Sequence, residues 1–220
     1  MKPISRPRDL RPDSNTLHKG IWAESGYGKT FLMNQVHQDC KVASVLVAQP
    51  KDEDDYELYG KKTDSKADLK RKLENKEKVH FNPPTSGKEY LREVNAIYDV
   101  ASQVSGEVVI FLDEVHRVSH VKPKDGVMSL SDMLTDGRGN GVRFMICSQD
   151  LNRFSNKTGR TVLAPLQEHI FMGINEFAKG FYNFYSFPYD RIEEKTKVQY
   201  AGVRFNFDDG LMDAPFKLQT

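Results

Sequence analysis

Residues Ala23–Thr30 read Ala-Glu-Ser-Gly-Tyr-Gly-Lys-Thr, and this stretch decides how the rest of the sequence is interpreted. It is a P-loop, or Walker A motif, with alanine in place of the usual first glycine. In such a loop, backbone N–H groups surround phosphate oxygens, the lysine contacts the β- and γ-phosphates, and the last hydroxyl binds Mg²⁺. The motif therefore predicts ATP binding by six residues, Ser25, Gly26, Tyr27, Gly28, Lys29 and Thr30.

The flanking sequence has the strand and the helix that a P-loop requires on its two sides. Leu17–Ala23 can form a short strand, and apolar residues at helical spacing continue from Phe31 to about Asp39. Gly26 and Gly28 permit the positive φ angles and the close anion approach of the loop. A helix beginning near Gly28 directs its positive end at the same phosphates.

Composition limits the domain count and the mode of nucleic-acid binding. The chain has 220 residues, 38% of them hydrophobic, which suits one α/β-sized domain with a small appendage. The formal net charge is +1, so nucleic-acid contact requires a local basic patch or a ring of many copies. Cys40 and Cys147 lie in or beside apolar segments, which favours reduced core thiols of a cytosolic protein.

The sequence has no segment that indicates export or membrane insertion. The Arg- and Pro-containing N-terminus lacks the apolar stretch of a signal peptide, and no apolar run is long enough to cross a bilayer. These features predict a soluble protein, either cytosolic or carried inside a particle.

Apolar strands alternate with helices along most of the chain. The expected strands are Val42–Ala48, Val79–Asn82, Val108–Leu112, Val142–Ser148 and His169–Gly173, and the expected helices are Ser65–Glu77, Glu89–Ser102 and Met128–Leu134. This order predicts an α/β fold with a mainly parallel sheet covered by helices on both faces. We expect an extended N-terminal arm (1–16), an ATPase core (17–190), and a C-terminal hairpin or extension packed on the core (191–220), with an edge strand or hairpin within 198–207.

A second nucleotide motif follows the P-loop. Val108–Glu114 is an apolar strand ending in two carboxylates, which is a Walker B pattern. Because ligands bind at the carboxyl ends of parallel strands, Asp113 is expected to hold Mg²⁺ together with Thr30. Glu114 is expected to polarise the water that attacks the γ-phosphate, which favours a hydrolase over a small-molecule kinase.

Two further residues are weaker catalytic candidates. Gln149 follows the strand Val142–Ser148 and could sense the γ-phosphate and the attacking water, or it could simply close the strand. Arg138 lies in the glycine-rich segment Asp136–Val142 and could act as an arginine finger on a neighbouring subunit. On these residues alone, a solvated arginine is the better interpretation of Arg138.

Taken in order, these motifs resemble the FtsK–HerA superfamily of DNA-pumping ATPases. The resemblance rests on the P-loop, Val108–Glu114, Gly137–Val142 and Phe144–Gln149, and it spans about Leu17 to Gly173. The small size most resembles the genome-packaging ATPases of tailless, membrane-containing phages and archaeal viruses.

The resemblance implies a RecA-like (ASCE) core that forms a pentameric or hexameric ring and drives double-stranded DNA through it. It implies that Arg138 acts across the subunit interface, that capsid-vertex or viral membrane proteins are partners, and that the protein works in the host cytoplasm or at the packaging vertex of a virion. The resulting prediction is an ATP-hydrolysing motor that packages a viral genome into a preformed capsid. The alternatives are a phage assembly or secretion ATPase and a nucleotide-gated adaptor that does not pump DNA.

Three basic segments are open candidates for DNA contact: the charged helix from Lys66 to Lys78, the pair Lys122 and Lys124, and the pair Lys157 and Arg160. The aromatic residues between Phe177 and Tyr189 could stack on exposed bases, but a core or subunit-interface role is favoured. His116 and His120 are interpreted as loop or surface residues rather than metal ligands.

Overall fold

A computed structural model describes residue 10 and residues 18–48, 61–63, 65–84, 86–124, 126–173, 176–208, 210–213 and 215–218. The expected arm lies outside these residues except for Leu10, which is buried against the core. The division of the chain into an arm, a core and an extension remains a prediction.

The described strands form one twisted sheet in the order β3-β4-β2-β5-β6-β1-β7-β8-β9. The first seven strands in this order are mutually parallel, and β8 and β9 continue the sheet in antiparallel pairing. Their bounds are His18–Ala23 (β1), Ala43–Val47 (β2), Lys61–Lys62 (β3), Lys78–Phe81 (β4), Val108–Leu112 (β5), Val142–Ser148 (β6), Leu166–Met172 (β7), Ala201–Asn206 (β8) and Phe216–Lys217 (β9).

The α-helices connect and cover these strands. Their bounds are Lys29–Asp39 (α1), Lys66–Glu74 (α2), Gly87–Ala101 (α3), Leu130–Gly137 (α4), Lys157–Leu163 (α5), Lys179–Phe184 (α6) and Tyr189–Thr196 (α7). None of them combines the length and apolar character needed to cross a membrane.

Alternate residues of the central strands enter two separate hydrophobic cores, as the two-residue period of a strand requires. Ile21 and Phe111 face the core that contains α1 and the C-terminal Phe216 and Leu218. Residues of opposite parity, such as Trp22, face the larger core that contains the other described helices. Burial on both faces explains why these strands read as apolar runs, and the predicted α/β fold with a mainly parallel sheet is confirmed.

The structure differs from the sequence-based expectation mainly after β6. β7 begins at Leu166 rather than His169, because Glu168 pairs with the buried Lys19 across the sheet at 2.7 Å. The aromatic region contains two short helices, α6 and α7, which the sequence analysis did not predict. β8 lies within the expected 198–207 segment and pairs with both β7 and β9.

Candidate nucleotide-binding and hydrolysis site

The P-loop lies between β1 and α1 at the carboxyl edge of the sheet. Gly26 and Gly28 have φ angles of 84° and 85°, which residues with a side chain rarely adopt. Gly28 is the N-cap residue of α1, so the first turn of the helix presents its free N–H groups beside the loop. The ring of Tyr27 packs against Gly173, where an added Cβ would lie 2.5 Å from Tyr27 Cδ1, and so holds the loop to the end of β7.

Lys29 joins the P-loop to the two carboxylates that follow β5. Its Nζ atom lies 3.2 Å from Asp113 Oδ1 and 2.8 Å from Glu114 Oε1, and its side chain is only 8% exposed. Burial disfavours the ammonium form, but the neighbouring Asp113 and Glu114 carboxylates outweigh it and raise the pKa of Lys29. The predicted Walker A and Walker B residues therefore meet, with a charged lysine between the acids.

Thr30 and Asp113 are placed as two ligands of one magnesium ion would be. Thr30 Oγ1 donates to Asp113 Oδ2 at 3.3 Å. Adjacent oxygens in an octahedral Mg²⁺ shell with bonds of about 2.1 Å lie about 3.0 Å apart, so this pair fits with a small adjustment. Within the described residues, no group of three or more His, Cys, Asp or Glu side chains could hold a metal by itself. Such an ion would take its other ligands from phosphate and water, as Mg²⁺ commonly does.

Buried hydrogen bonds fix the position of Asp113. The Tyr90 hydroxyl donates to the Asp113 carbonyl at 2.7 Å, and the Cys147 Sγ donates to Asp113 Oδ1 at 2.8 Å. Burial, reinforced by the charge of Asp113, raises the pKa of the Cys147 thiol well above its usual range. Cys147 is therefore a neutral donor that orients the carboxylate.

Glu114 occupies a strained position at the head of a short 3-10 turn, Val115–Arg117. Its φ and ψ angles are 52° and 43°, a left-handed conformation that costs a non-glycine residue about 1–3 kcal/mol and occurs often at functional sites. Glu114 Oε2 lies 3.1 Å from His116 Nδ1, which also lies 3.1 Å from the hydroxyl of the buried Ser148. Burial lowers the pKa of His116 despite the opposing effect of Glu114, so the imidazole is neutral at neutral pH.

The two weaker candidates do not join this cluster. Gln149 is exposed directly after β6, while the preceding Ser148 makes the contact with His116. Arg138 follows α4 at the amino edge of the sheet, where its guanidinium donates to the Pro165 carbonyl at 2.7 Å. Since β6 has seven residues, the two edges lie about 20 Å apart, and Arg138 cannot reach the P-loop of its own chain.

The three basic segments differ in how far their charges are already neutralised. On α2, Asp68 pairs with Arg71 at 2.5 Å and with Lys72 at 2.7 Å. At the start of β4, Lys78 donates to the main-chain carbonyls of Cys40 and Val42. Near α5, the Arg160 guanidinium lies 5.1 Å from the centre of the Phe184 ring.

Lys122 and Lys124 belong to an exposed basic groove. With Lys88 and Arg92 of α3 they line one depression at the carboxyl edge, and all four side chains are exposed. Among the described residues, none of the four forms an ion pair. The structure thus adds two cations to this candidate that the sequence analysis had not grouped with it.

The aromatic region is mainly a packing element. Phe181, Tyr182 and Phe187 are at most 4% exposed and pack in tilted or edge-to-face contacts with one another and with Phe171. Phe177 is 89% exposed and Phe184 is 37% exposed.

Sequence reasoning overlooked three residues that support the carboxylates, namely Tyr90, Cys147 and His116. Tyr90 is part of the apolar stripe of its helix, and this pattern gives no indication that its hydroxyl bonds to Asp113. Cys147 lies in an apolar strand and is interpreted from sequence as an ordinary core residue. Only His116 carried a usable signal, because it follows Glu114 by two residues.

No protein-family model matches the sequence, and no curated protein does so either. Solved structures with a similar fold do exist. The genome packaging NTPase B204 from Sulfolobus turreted icosahedral virus 2, in complex with AMPPCP, superposes with a TM-score of 0.68 at 14% identity, over 93% of this chain and 99% of that one.

Two other solved structures share the fold, also at low sequence identity. The bacterial conjugative coupling protein TrwB gives a TM-score of 0.60 at 11% identity, over 99% of this chain and 94% of that one. The cytoplasmic domain of the type VII secretion ATPase EccC from Thermomonospora curvata gives 0.54 at 9% identity, over 93% of this chain and 24% of that one.

The structural neighbours B204 and TrwB are P-loop ATPases of the FtsK–HerA type, which agrees with the resemblance found in the motifs. At these identities the comparisons establish the fold, and B204 has been solved with nucleotide analogues bound.

Proposed function

We propose that this chain, which has the P-loop NTPase fold of B204 and TrwB, is an ATP-hydrolysing motor that translocates double-stranded DNA and packages a viral genome. The observation that carries this proposal is the cluster of Lys29, Asp113 and Glu114, in which a P-loop lysine contacts both Walker B carboxylates. A water-activating carboxylate beside the magnesium ligand suits repeated hydrolysis.

In this proposal the chain positions ATP and activates water. The Lys29 ammonium moves from the carboxylates to the β- and γ-phosphates, which frees Glu114 to accept a proton from the attacking water. Thr30 and Asp113 would hold Mg²⁺, which neutralises charge developing on the phosphate oxygens. His116 and Tyr90 act as positioning residues, the first beside Glu114 and the second on the Asp113 carbonyl.

Arg138 completes the site of the next subunit in a ring. Its distance from its own P-loop excludes a role in the same chain, and its exposure permits one in a neighbour. An arginine supplied in trans stabilises charge in the transition state of phosphoryl transfer. Gln149, exposed at the carboxyl edge, remains a proposed γ-phosphate sensor that would act once nucleotide and the neighbouring subunit are in place.

We assign DNA contact to the groove formed by Lys88, Arg92, Lys122 and Lys124. The loop that carries Lys122 and Lys124 follows the Walker B residues, so a change at the γ-phosphate can move it directly. Four free cations per chain suit a phosphate backbone that is bound without regard to base sequence.

The test is ATP turnover measured with and without linear duplex DNA, together with DNA affinity at two salt concentrations. A motor is stimulated by duplex, and each chain that makes four phosphate contacts lowers DNA affinity by a further factor of about a hundred between 50 and 200 mM salt. A nucleotide-gated adaptor would turn over ATP at the same rate with or without DNA, and that result would remove the motor assignment.

Paired variants locate the contact. Lys122→Gln with Lys124→Gln removes two phosphate contacts per chain, so the magnitude of the slope of log affinity against log salt falls by about two for each chain that contacts the DNA. Lys66→Gln with Lys70→Gln changes net charge equally on α2 and leaves the slope unchanged. An equal change of the slope in both double variants would mean that DNA affinity depends only on net charge. The proposal that the groove contacts DNA would then be rejected.

A further inference from the structure

The strand order divides the surroundings of the P-loop into two sides. The loop follows β1, and β6 and β5 lie on one side with Asp113 and Glu114 at the β5 end. On the other side lie β7, β8 and β9. A nucleotide whose γ-phosphate faces the two carboxylates must extend its nucleoside toward the β7–β9 side, because the triphosphate runs across the loop.

Residues just before β8 contact the loop on that second side. Gln199 Nε2 donates to the Gly26 carbonyl at 3.4 Å. A Cβ added at Gly28 would lie 3.0 Å from Tyr200 Cδ1 and 3.1 Å from Leu218 Cδ1, so the Tyr200 ring packs directly on the first turn of α1. The absence of a side chain at position 28 is what allows this approach.

Tyr200 is held there in an unusual backbone conformation. Its φ angle is 64°, in the left-handed region that bulky residues seldom occupy, yet its side chain is only half buried. Strained residues of this kind persist where the surrounding structure fixes them, and they cluster at ligand sites. The hydrogen bond from Leu218 N to the Tyr200 carbonyl, 3.0 Å long, contributes to that restraint.

A second aromatic side chain, Phe31, lies in the first turn of α1. It follows Gly28, the N-cap residue on which Tyr200 packs, by three residues, which is slightly less than one helical turn. It is 39% exposed, whereas the next two residues of the helix are fully buried. Two partly exposed aromatic side chains, Tyr200 and Phe31, thus lie beside the P-loop at the start of α1.

We propose that Tyr200 and Phe31 form the surface that receives the nucleoside base by stacking, with Gln199 fixing Tyr200 against the loop. This inference rests on the proposed nucleotide-binding function and specifies how the base is held. Aromatic rings contact the π-face of a base and do not contact its hydrogen-bonding edge. The affinities for ATP and GTP should therefore agree within about tenfold.

The decisive comparison uses two ligands that share a phosphate chain but differ in the base. We expect the wild-type protein to bind ATP more tightly than inorganic tripolyphosphate. Tyr200→Ala and Phe31→Ala should each weaken ATP binding about tenfold or more and leave tripolyphosphate affinity within about twofold. Phe31 is on an exposed helix surface, so its variant remains informative even if Tyr200→Ala disturbs folding. Tyr200→Phe keeps the ring and should behave like the wild type.

Other outcomes overturn the inference in separable ways. An equal loss of ATP and tripolyphosphate binding in both alanine variants would mean that the rings only shape the phosphate loop. Equal wild-type affinity for the two ligands would mean that the base contributes nothing. Failure of the folded wild-type protein to bind either ligand would instead remove the proposed nucleotide-binding function, and this inference with it.

Discussion

The two edges of the sheet carry functional residues in very different surroundings. At the carboxyl edge, Lys29, Asp113 and Glu114 are joined by short contacts and supported by the buried Tyr90 and Cys147. At the amino edge, Arg138 is exposed, and its guanidinium donates to the Pro165 carbonyl.

This contrast indicates which step a single chain can perform alone, namely nucleotide binding, and which step needs a neighbouring subunit, namely hydrolysis. The carboxyl-edge cluster has its geometry fixed by contacts within the chain, so we expect nucleotide to bind without a partner subunit. Arg138 is held only loosely by its own chain and lies far from its own P-loop. We therefore expect hydrolysis, but not binding, to depend on assembly.

The largest expected effect tests this division directly. Arg138→Ala should lower hydrolysis about a thousandfold while ATP still binds, because a trans arginine acts on the transition state. Lys29→Ala should abolish hydrolysis by removing the phosphate-binding cation. Mixing the two inactive proteins should restore part of the ATPase rate, since one interface then joins an intact P-loop to an intact arginine.

The control for the mixing experiment is each variant mixed with additional copies of itself at the same total concentration. Partial recovery only in the heterologous mixture supports the trans role of Arg138. No recovery, with both variants shown to assemble, would place Arg138 outside the catalytic site of any subunit.

A smaller effect is expected from Glu114→Gln, which keeps the shape of the side chain and removes the base. Hydrolysis should fall about a hundredfold or more while ATP binding is retained. Single-turnover hydrolysis and equilibrium binding of labelled ATP measure the two quantities separately. Normal turnover in this variant would exclude Glu114 from water activation.

The smallest expected effect concerns the support of Asp113. Tyr90→Phe leaves the buried Asp113 carbonyl without its donor, which should cost about 1–3 kcal/mol of stability and slow hydrolysis about tenfold. Tyr185→Phe is a matched control, because its hydroxyl also donates to a main-chain carbonyl at 2.7 Å, that of Phe154. Denaturant unfolding and ATPase assays on both variants separate stability from positioning.

An equal slowing in the two tyrosine variants would mean that activity follows overall stability. A slowing confined to Tyr90→Phe would assign the hydrogen bond to the positioning of Asp113.

The central strands and the two nucleotide motifs could be predicted because each is determined by a short, continuous segment of sequence. Val108–Leu112 and Val142–Ser148 appear in the structure with the predicted bounds, since strands buried on both faces must be apolar throughout. The P-loop and the acidic pair were equally visible, because phosphate binding needs fixed residue types at fixed spacing.

The supporting residues of the site and the unpredicted helices depend on contacts between residues far apart in sequence. Nothing near Cys147 indicates that its thiol meets Asp113, and nothing near Tyr200 indicates that its ring meets Gly28. Helix α6 was missed because its aromatic residues follow the shape of the core, and α7 was missed because its eight residues bury only Ile192 and Thr196. Such positions are determined by tertiary packing, which no short window of sequence contains.

The contact of Tyr200 and Leu218 with Gly28 also orders events during synthesis. The P-loop leaves the ribosome before the residues that pack on it, because Tyr200 and Leu218 follow Gly28 by 172 and 190 residues (200 − 28 and 218 − 28). Contacts of such long separation form late, because closing the intervening chain costs entropy. A nascent chain therefore carries the P-loop without the side chains that pack on Gly28 until Tyr200 and Leu218 have been made.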